Sequence, residues 1–127
     1  MCVIICREPN VTLDADKFKT LVMNNPHGWG ISVPDGEGNL ITVRDVAGGD
    51  TNAEELYEWI NDEFAKDKIM LHLRYTTAGD TILRNAHPFP ILEKAADGVD
   101  LRMAHNGTLS SYEPKWNADN KWESDTR

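Results

Sequence analysis

The run Cys2-Val3-Ile4-Ile5-Cys6 directly follows Met1, and its apolar and β-branched residues predict a strand at the start of the chain. Removal of Met1 would leave a thiol and a free α-amine together on Cys2. An α-amine has an ordinary pKa of about 7.7–8.0, so it can serve as the base that activates a weakly nucleophilic thiol. The alternative is that Cys2 is a small buried apolar residue of a strand, and other segments are needed to decide.

The chain has 127 residues and a formal net charge of −8. Its length suits one domain that buries its own core without a disulfide or a metal. The acidic balance argues against nucleic acid as a partner, because no basic face is available to neutralise phosphates. No stretch reaches the length of a membrane span, and Arg7, Glu8 and Pro9 end the first apolar run too early for a signal peptide. We therefore expect a cytoplasmic protein that binds neither nucleic acid nor a membrane.

Cys2 and Cys6 are the two cysteines of the chain. On one strand they point to the same face, but the rise of about 3.3 Å per residue keeps them too far apart for a disulfide. The alternative is a zinc half-site completed by histidines, although the spacing matches no standard zinc pattern. We expect no metal and no cofactor. The histidines that this alternative would use are His27, His72, His87 and His105.

Two segments have the apolar spacing of amphipathic helices. The first begins at Asp14, a good N-cap residue, and continues to about Asn24, with Pro26 just beyond its end. The second follows a capping-box pattern that runs from Thr51 to Glu54. The buried stripe predicted for this second helix consists of Leu56, Trp59, Ile60 and Phe64.

Strands alternate with these helices along the chain. Residues 27–33 are interpreted as a turn that enters a strand, and residues 34–39, with two glycines, as a hairpin connection to a strand over 40–46. Further strands are predicted for residues 69–76 and 101–104. A β-rich chain with two helices indicates an α+β fold.

Four further segments place polar side chains beside predicted strands or turns. Each has an ordinary structural explanation: an Asn-Gly pair is a standard turn, an arginine on a strand is usually solvated or paired, and Ser-Asp-Thr is a good helix cap. Taken singly, none indicates a function. The segments are Leu73-Arg74-Tyr75-Thr76-Thr77, Asn85-Ala86-His87-Pro88-Phe89, Ala104-His105-Asn106-Gly107-Thr108 (after a strand predicted to be buried) and Ser124-Asp125-Thr126.

Together and in this order, the motifs resemble the class II glutamine amidotransferase domain, which is an N-terminal-nucleophile hydrolase. The resemblance covers nearly the whole chain and is similar to the compact, stand-alone members of the family. It implies a single domain over residues 1–127 with an αββα sandwich of two antiparallel sheets. The motifs that carry it are Met1-Cys2, His27-Gly28-Trp29-Gly30, His72-x-Arg74, Asn85-Ala86-His87-Pro88-Phe89, Ala104-His105-Asn106-Gly107 and Ser124-Asp125-Thr126.

The resemblance implies a catalytic role for three residues. Cys2 would attack the side-chain amide carbon of glutamine, and its own α-amine would pass a proton to the leaving ammonia. The oxyanion of the tetrahedral intermediate would be stabilised by the side-chain amide of Asn106 and the backbone N–H of Gly107. Glycine suits the second position because the backbone must approach the substrate closely.

The resemblance also implies how the other end of glutamine is bound. Arg74 would hold the α-carboxylate with two hydrogen bonds, and Thr77 would add a hydroxyl. Asp125 would pair with the α-ammonium group and so select free glutamine. His87 would line this pocket, and Tyr75 occupies the place where the family often has tryptophan.

Three features depart from the family pattern. The family has Thr-His-Gly where this chain has Thr77-Ala78-Gly79, so one pocket contact is expected to be absent. The chain ends at Arg127, before the strands and helices that would complete the second sheet, so we expect it to be an N-terminal portion of a longer protein. Met1 must also be removed, because the α-amine of Cys2 is otherwise part of a peptide bond.

The leading hypothesis is a domain that hydrolyses L-glutamine to glutamate and ammonia through a thioester on Cys2, for use by a synthase domain or partner protein. One alternative is an N-terminal-nucleophile amidohydrolase that acts on another γ-glutamyl amide without transferring ammonia. The other is a catalytically silent binding or regulatory module with the same fold.

Overall fold

The computed structural model describes residues 1–46, 52–77, 79–93 and 98–107. These parts of the chain contain antiparallel strands, two α-helices and a short 3₁₀ helix at Leu83–Asn85. In chain order the elements are β1 (Val3–Arg7), α1 (Ala15–Asn24), β2 (Trp29–Pro34), β3 (Leu40–Asp45), α2 (Ala53–Asp62), β4 (Ile69–Leu73), β5 (Phe89–Leu92) and β6 (Leu101–Met103).

Four of the strands form one antiparallel sheet in the order β1-β4-β2-β3. Strand β4 lies in its interior, because Leu71 pairs with Ile5 of β1 on one side and with Ile31 of β2 on the other. The hairpin predicted between residues 34 and 39 joins β2 to β3. The remaining strands, β5 and β6, pair antiparallel as a second sheet.

The hydrophobic core lies between one face of the four-stranded sheet and the two helices. Alternation along the strands sends every second side chain to this face, and helices α1 and α2 cover it with their apolar stripes. The amphipathic pattern read from the sequence is therefore confirmed for both helices, although Phe64 of the stripe predicted for α2 lies beyond the end of that helix and, like Trp59, is only partly buried. The buried core consists of Phe18, Val22, Ile31, Val33, Leu56, Ile60, Ile69, Leu71 and Leu73.

The caps of the helices were predicted with different success. The carboxylate of Asp14 accepts the backbone N–H of Lys17 at 2.9 Å, so Asp14 is the N-cap of α1 as expected. Helix α2 instead begins after Asn52, whose side-chain oxygen accepts the N–H groups of Glu54 and Glu55. The capping box proposed from Thr51 was therefore wrong by one residue, and Thr51 itself lies outside the described residues.

Strand β1 is tied to α2 at the end opposite Cys2. Arg7 is buried on the helix face of the sheet, where its guanidinium donates to the backbone carbonyls of Ile60 and Asp67 at 3.1 Å each. It also donates to the carbonyl of Phe64. These carbonyls belong to the last turn of α2 and the chain after it, where a helix leaves acceptors unsatisfied. The Arg7 side chain thus supplies donors to the carbonyl groups at the end of α2 and holds strand β1 against this helix.

The opposite face of the four-stranded sheet contacts strand β6 of the second sheet and Asp100, the residue just before that strand. Arg102 of β6 donates to the Thr42 hydroxyl and the Leu40 carbonyl at 3.2 Å each. The backbone N–H of Leu40 donates to the Asp100 carboxylate at 2.9 Å. The fold is therefore a mixed α+β arrangement with two antiparallel sheets, as expected. The complete αββα sandwich, and its extent as one domain over residues 1–127, stay predictions.

Three strand predictions need correction. Strand β4 ends at Leu73 rather than Thr76, because the backbone N–H groups of Tyr75 and Thr76 donate to side chains instead of to a neighbouring strand. Strand β6 was expected to be buried, but Leu101 is 46% exposed. Strand β5 was not predicted at all.

Within the described part of the chain, neither helix has the length and apolar character that crossing a membrane requires.

Candidate active site

The candidate site lies where three strand ends meet. Val3 and Trp29 both pair with Leu73, so the start of β1, the start of β2 and the end of β4 lie side by side. The ladder continues beyond β4, because the backbone N–H of Arg74 donates to the carbonyl of Gly28 at 2.8 Å. By the same register Cys2 lies opposite Arg74, which places the two predicted site residues on the same face.

The sulfur of Cys2 contacts the backbone of Tyr75 twice. The N–H of Tyr75 donates to Sγ at 3.3 Å, and the thiol can donate to the carbonyl oxygen of Tyr75 at 3.3 Å. Cys2 is half-buried, whereas Cys6, on the same face of β1, is exposed. The Tyr75 backbone thus offers the Cys2 sulfur both a donor and an acceptor, which fixes its position at the end of the sheet.

Arg74 is a buried cation beside this sulfur. Its side chain is 4% exposed, and burial lowers the pKa of its guanidinium, while the nearby Cys2 and Asp80 oppose this shift. Its Nη2 donates to the Asp80 carbonyl at 3.2 Å, and the amide of Asn85 donates to the same carbonyl at 3.0 Å. The chain after β4 therefore folds back around a guanidinium that stays charged, since arginine does not lose its proton in proteins.

Buried imidazoles continue the same face away from Cys2. His72 is fully buried, and its Nε2 lies 3.2 Å from Nδ1 of His87, which is also buried. The pKa of His72 is lowered to about 3, mainly by burial and further by His87 and Arg74, while the backbone carbonyl of His105 opposes the shift. His72 is therefore neutral at physiological pH and links strand β4 to the His87 segment.

This buried imidazole predicts a loss of stability in acid. A folded-state pKa near 3, against about 6.5 in the unfolded chain, means that only the unfolded chain binds this proton between those values. The free energy of unfolding should fall as pH drops below about 6.5, by up to about 1.4 kcal/mol per pH unit. Urea unfolding of the wild type and of His72→Gln between pH 7 and pH 4 measures this. The variant should lose less on acidification, and parallel acid limbs would contradict the assignment.

The structure brings together some of the predicted site residues and leaves others apart or outside. Cys2, Arg74 and Tyr75 converge, with the Tyr75 side chain 42% exposed. His87 is buried against His72 and Phe89, so its predicted place in the substrate pocket stays a prediction. Asp125 lies outside the described residues. The remaining predicted residues, Thr77, Asn106 and Gly107, are exposed.

The last two of these follow strand β6. Asn106 and Gly107 come directly after His105, which is the second residue beyond the end of the strand. Gly107 has a φ of +132°, which side chains other than glycine rarely adopt. The chain therefore bends at Gly107, beside the ring of His105, while the turn predicted for the Asn-Gly pair stays a prediction because the residues that would complete it lie outside the described ones.

The sequence motifs included His27 and Gly30 but gave neither residue a role in the site, and the structure shows that both organise this region. His27 accepts the backbone N–H of Thr76 through Nδ1 at 2.8 Å, and Gly30 lies against the backbone of His87. His72 is a third residue of this kind, and its spacing from Arg74 was a usable signal, since residues two apart on one strand share a face. No comparable local signal identifies His27, because its partner is 49 positions away.

Within residues 1–46, 52–77, 79–93 and 98–107, no three His, Cys, Asp or Glu side chains are grouped so that they could hold a metal ion. Cys2 and Cys6 are both free thiols. The zinc half-site considered from the sequence therefore has no full ligand set in the described part of the chain.

The chain is similar to a known protein family and to a curated protein. The profile of the class II glutamine amidotransferases matches residues 9–123. An uncharacterized protein of Methanocaldococcus jannaschii, MJ1515, is 32% identical over 108 residues, which are 84% of this chain and 29% of that protein. The chain thus spans less than a third of the length of this relative. No solved structure matches significantly. The family profile extends over most of the chain, and the protein belongs to the class II glutamine amidotransferases.

Proposed function

We propose that the protein hydrolyses the side-chain amide of L-glutamine to glutamate and ammonia, with Cys2 as the nucleophile. The observation that carries this proposal is the position of the Cys2 sulfur, held at 3.3 Å by the Tyr75 backbone N–H beside the buried Arg74. Family membership supplies the reaction class, and this juxtaposition supplies a sulfur with a hydrogen-bond donor and a neighbouring cation.

The proposed reaction has two halves. After removal of Met1, the Cys2 thiolate attacks the side-chain amide carbon, and the C–N bond breaks as the α-ammonium of Cys2 gives its proton to the departing ammonia. This leaves a thioester between Cys2 and the γ-glutamyl group. Water, deprotonated by the same amine, then breaks the thioester, which releases glutamate and restores the thiol.

Asn106 and Gly107 are the proposed donors to the oxyanion of each tetrahedral intermediate. The Asn106 side chain offers an N–H₂ group and Gly107 offers its backbone N–H. Two fixed donors of this kind are a common device, and loss of one typically costs a factor on the order of 10²–10³ in rate. The positive φ of Gly107 supports this assignment, because it is a backbone conformation that glycine adopts readily and that lets the chain approach a substrate closely.

Glutamine would be held by its amino-acid end. Arg74 is the proposed partner of the α-carboxylate, since a planar guanidinium can bond both oxygens at once. Asp125 is the proposed partner of the α-ammonium, and Thr77 a further hydroxyl donor. Tyr75 and His87 complete the proposed lining. The ammonia would pass to a synthase domain or partner protein whose identity the chain does not indicate.

The proposal is tested on the full chain after intact mass confirms that the N-terminus is Cys2. We expect glutamine to give equimolar glutamate and ammonia, and a glutamine analogue carrying a diazoketone to alkylate Cys2. Peptide mapping provides the internal control, because the exposed Cys6 should stay unmodified under the same conditions. Hydrolysis of other γ-glutamyl amides in preference to glutamine would favour the amidohydrolase alternative. Processed protein that neither hydrolyses glutamine nor is labelled would overturn the proposal in favour of a binding module.

A further inference from the structure

His27 holds the two peptide groups on either side of Tyr75, and both of these groups contact the Cys2 sulfur. On one side, the backbone N–H of His27 donates to the carbonyl of Arg74 at 3.0 Å. On the other, its ring nitrogen Nδ1 accepts the N–H of Thr76 at 2.8 Å. The residue between these two contacts is Tyr75, and both the N–H and the carbonyl of Tyr75 contact Sγ of Cys2.

This arrangement explains how the chain is ordered after it leaves the sheet. Strand β4 ends at Leu73, and the next backbone N–H groups along the chain find other partners. That of Arg74 still reaches the Gly28 carbonyl, but those of Tyr75 and Thr76 donate to the side chains of Cys2 and His27. Two side chains therefore replace the missing strand, one from the nucleophile and one from His27.

The contact with Thr76 also fixes the state of the imidazole. A peptide N–H can only donate, so Nδ1 of His27 must carry a lone pair rather than a proton. A side chain with no acceptor at the δ position cannot make this bond. The ring of Tyr75 lies against the His27 ring with centroids 5.0 Å apart, which gives a second, apolar contact between the same residues.

We propose that His27 is a positioning residue for the nucleophile, because its Nδ1 holds the Tyr75–Thr76 peptide, whose carbonyl contacts the Cys2 sulfur, and its backbone N–H holds the adjoining Arg74–Tyr75 peptide, whose N–H contacts the same sulfur. The consequence for catalysis rests on the proposed function of Cys2, whereas the consequence for thiol reactivity does not. Loss of the Nδ1 acceptor should loosen Tyr75, weaken its contacts with the sulfur and so misplace the nucleophile, while Arg74 keeps its backbone bonds.

The two contacts of the ring can be separated by substitution. His27→Asn keeps an acceptor at the δ position and removes the ring, whereas His27→Phe keeps a ring against Tyr75 and removes the acceptor. His27→Gln moves its acceptor one atom further out and serves as a third variant that does not depend on tolerance of an added aromatic ring. Thermal unfolding of all three shows whether each is folded at the assay temperature.

The decisive measurement is the rate at which iodoacetamide alkylates Cys2, with the exposed Cys6 of the same molecule as the internal control. One hydrogen bond corresponds to a factor of about five, so alkylation of Cys2 should slow about fivefold in His27→Phe and His27→Gln and less than about twofold in His27→Asn. Alkylation of Cys6 should be unchanged in every variant. Equal rates at Cys2 in all variants, or equal slowing in the Asn and Phe variants, would overturn the proposal.

Glutamine kinetics add a second readout. Because Arg74 retains its backbone bonds to Gly28 and residue 27, kcat should fall in His27→Phe with KM nearly unchanged, and His27→Asn should restore kcat. If KM rises as much as kcat falls, the role of His27 is general support of the binding site. If the wild type fails to hydrolyse glutamine, the proposed function fails, while the alkylation rates still decide the role of His27.

Discussion

Cys2→Ala is expected to reduce glutamine hydrolysis to background. The substitution removes the sulfur that forms the proposed thioester and leaves the α-amine, Arg74 and the Asn106-Gly107 turn in place. Loss of the nucleophile in other hydrolases costs a factor on the order of 10⁶ in kcat, and an effect of that size is expected here. Ammonia release from glutamine, followed on protein whose processed N-terminus is confirmed by mass, measures it.

Cys6→Ser is the matched control. Cys6 lies on the same strand and the same face as Cys2, but it is exposed and lies at the opposite end of β1 from Arg74. Its substitution should leave glutamine hydrolysis largely intact. Equal activity of Cys2→Ala and wild type would show that Cys2 is not the nucleophile, and a comparable loss in both variants would point to a structural role of the strand.

Gly30→Ala is expected to destabilise the protein by about 3 kcal/mol or more, at the upper end of what overpacking costs. A Cβ at this position would lie 1.9 Å from the backbone carbonyl oxygen of His87 and 2.9 Å from Cγ of Arg44. The carbonyl belongs to the backbone and cannot rotate away as a side chain would. Either the His87 segment separates from the sheet or the strand shifts, and both would disturb the contact between His87 and His72.

Gly36→Ala separates this steric effect from the general cost of replacing glycine. Gly36 has a φ of +81° and nothing within 4 Å of its added Cβ, so only backbone strain of about 1–2 kcal/mol is expected. Urea unfolding at neutral pH compares the two variants. If Gly30→Ala proves no more destabilising than Gly36→Ala, the sheet and the His87 segment do not pack as closely as described.

Elements with a local signature could be predicted from the sequence. Helix α1 has a capping aspartate and an apolar stripe, and the hairpin between β2 and β3 has its glycines at positive φ. The placement of Cys2 and Cys6 on one face follows from the alternation of any strand. These features depend on residues close together in the chain, so no knowledge of the tertiary structure was needed.

Elements that depend on distant residues could not be predicted. Strand β5 is short and contains Pro90, which argues against a strand, and it forms only because β6 pairs with it. The alternating pattern of strand β4 continues to Thr76 in the sequence, but the strand ends at Leu73. The N–H groups of Tyr75 and Thr76 donate to the side chains of Cys2 and His27 instead of to a neighbouring strand. Asn52 and Thr51 are both good capping residues, so propensity alone does not choose between them.

The candidate site was predicted mainly through resemblance. That resemblance named Cys2, Arg74 and Tyr75, and the fold brings these three together. It assigned no role to His27 or His72, whose partners lie far away in the sequence and become visible only when β1, β2 and β4 are paired. Asp125, the proposed partner of the α-ammonium group, lies outside the described residues.

The attachment of Arg7 to helix α2 has a consequence for how this family member can vary. Cys2 points to the active-site face, and Arg7, five positions further on, points to the helix face. The two side chains keep these opposite faces only if the number of residues between them stays even. Insertion or deletion of one residue between them would turn the thiol into the hydrophobic core or the guanidinium out of it. We therefore expect natural or engineered length changes in this segment to occur in steps of two.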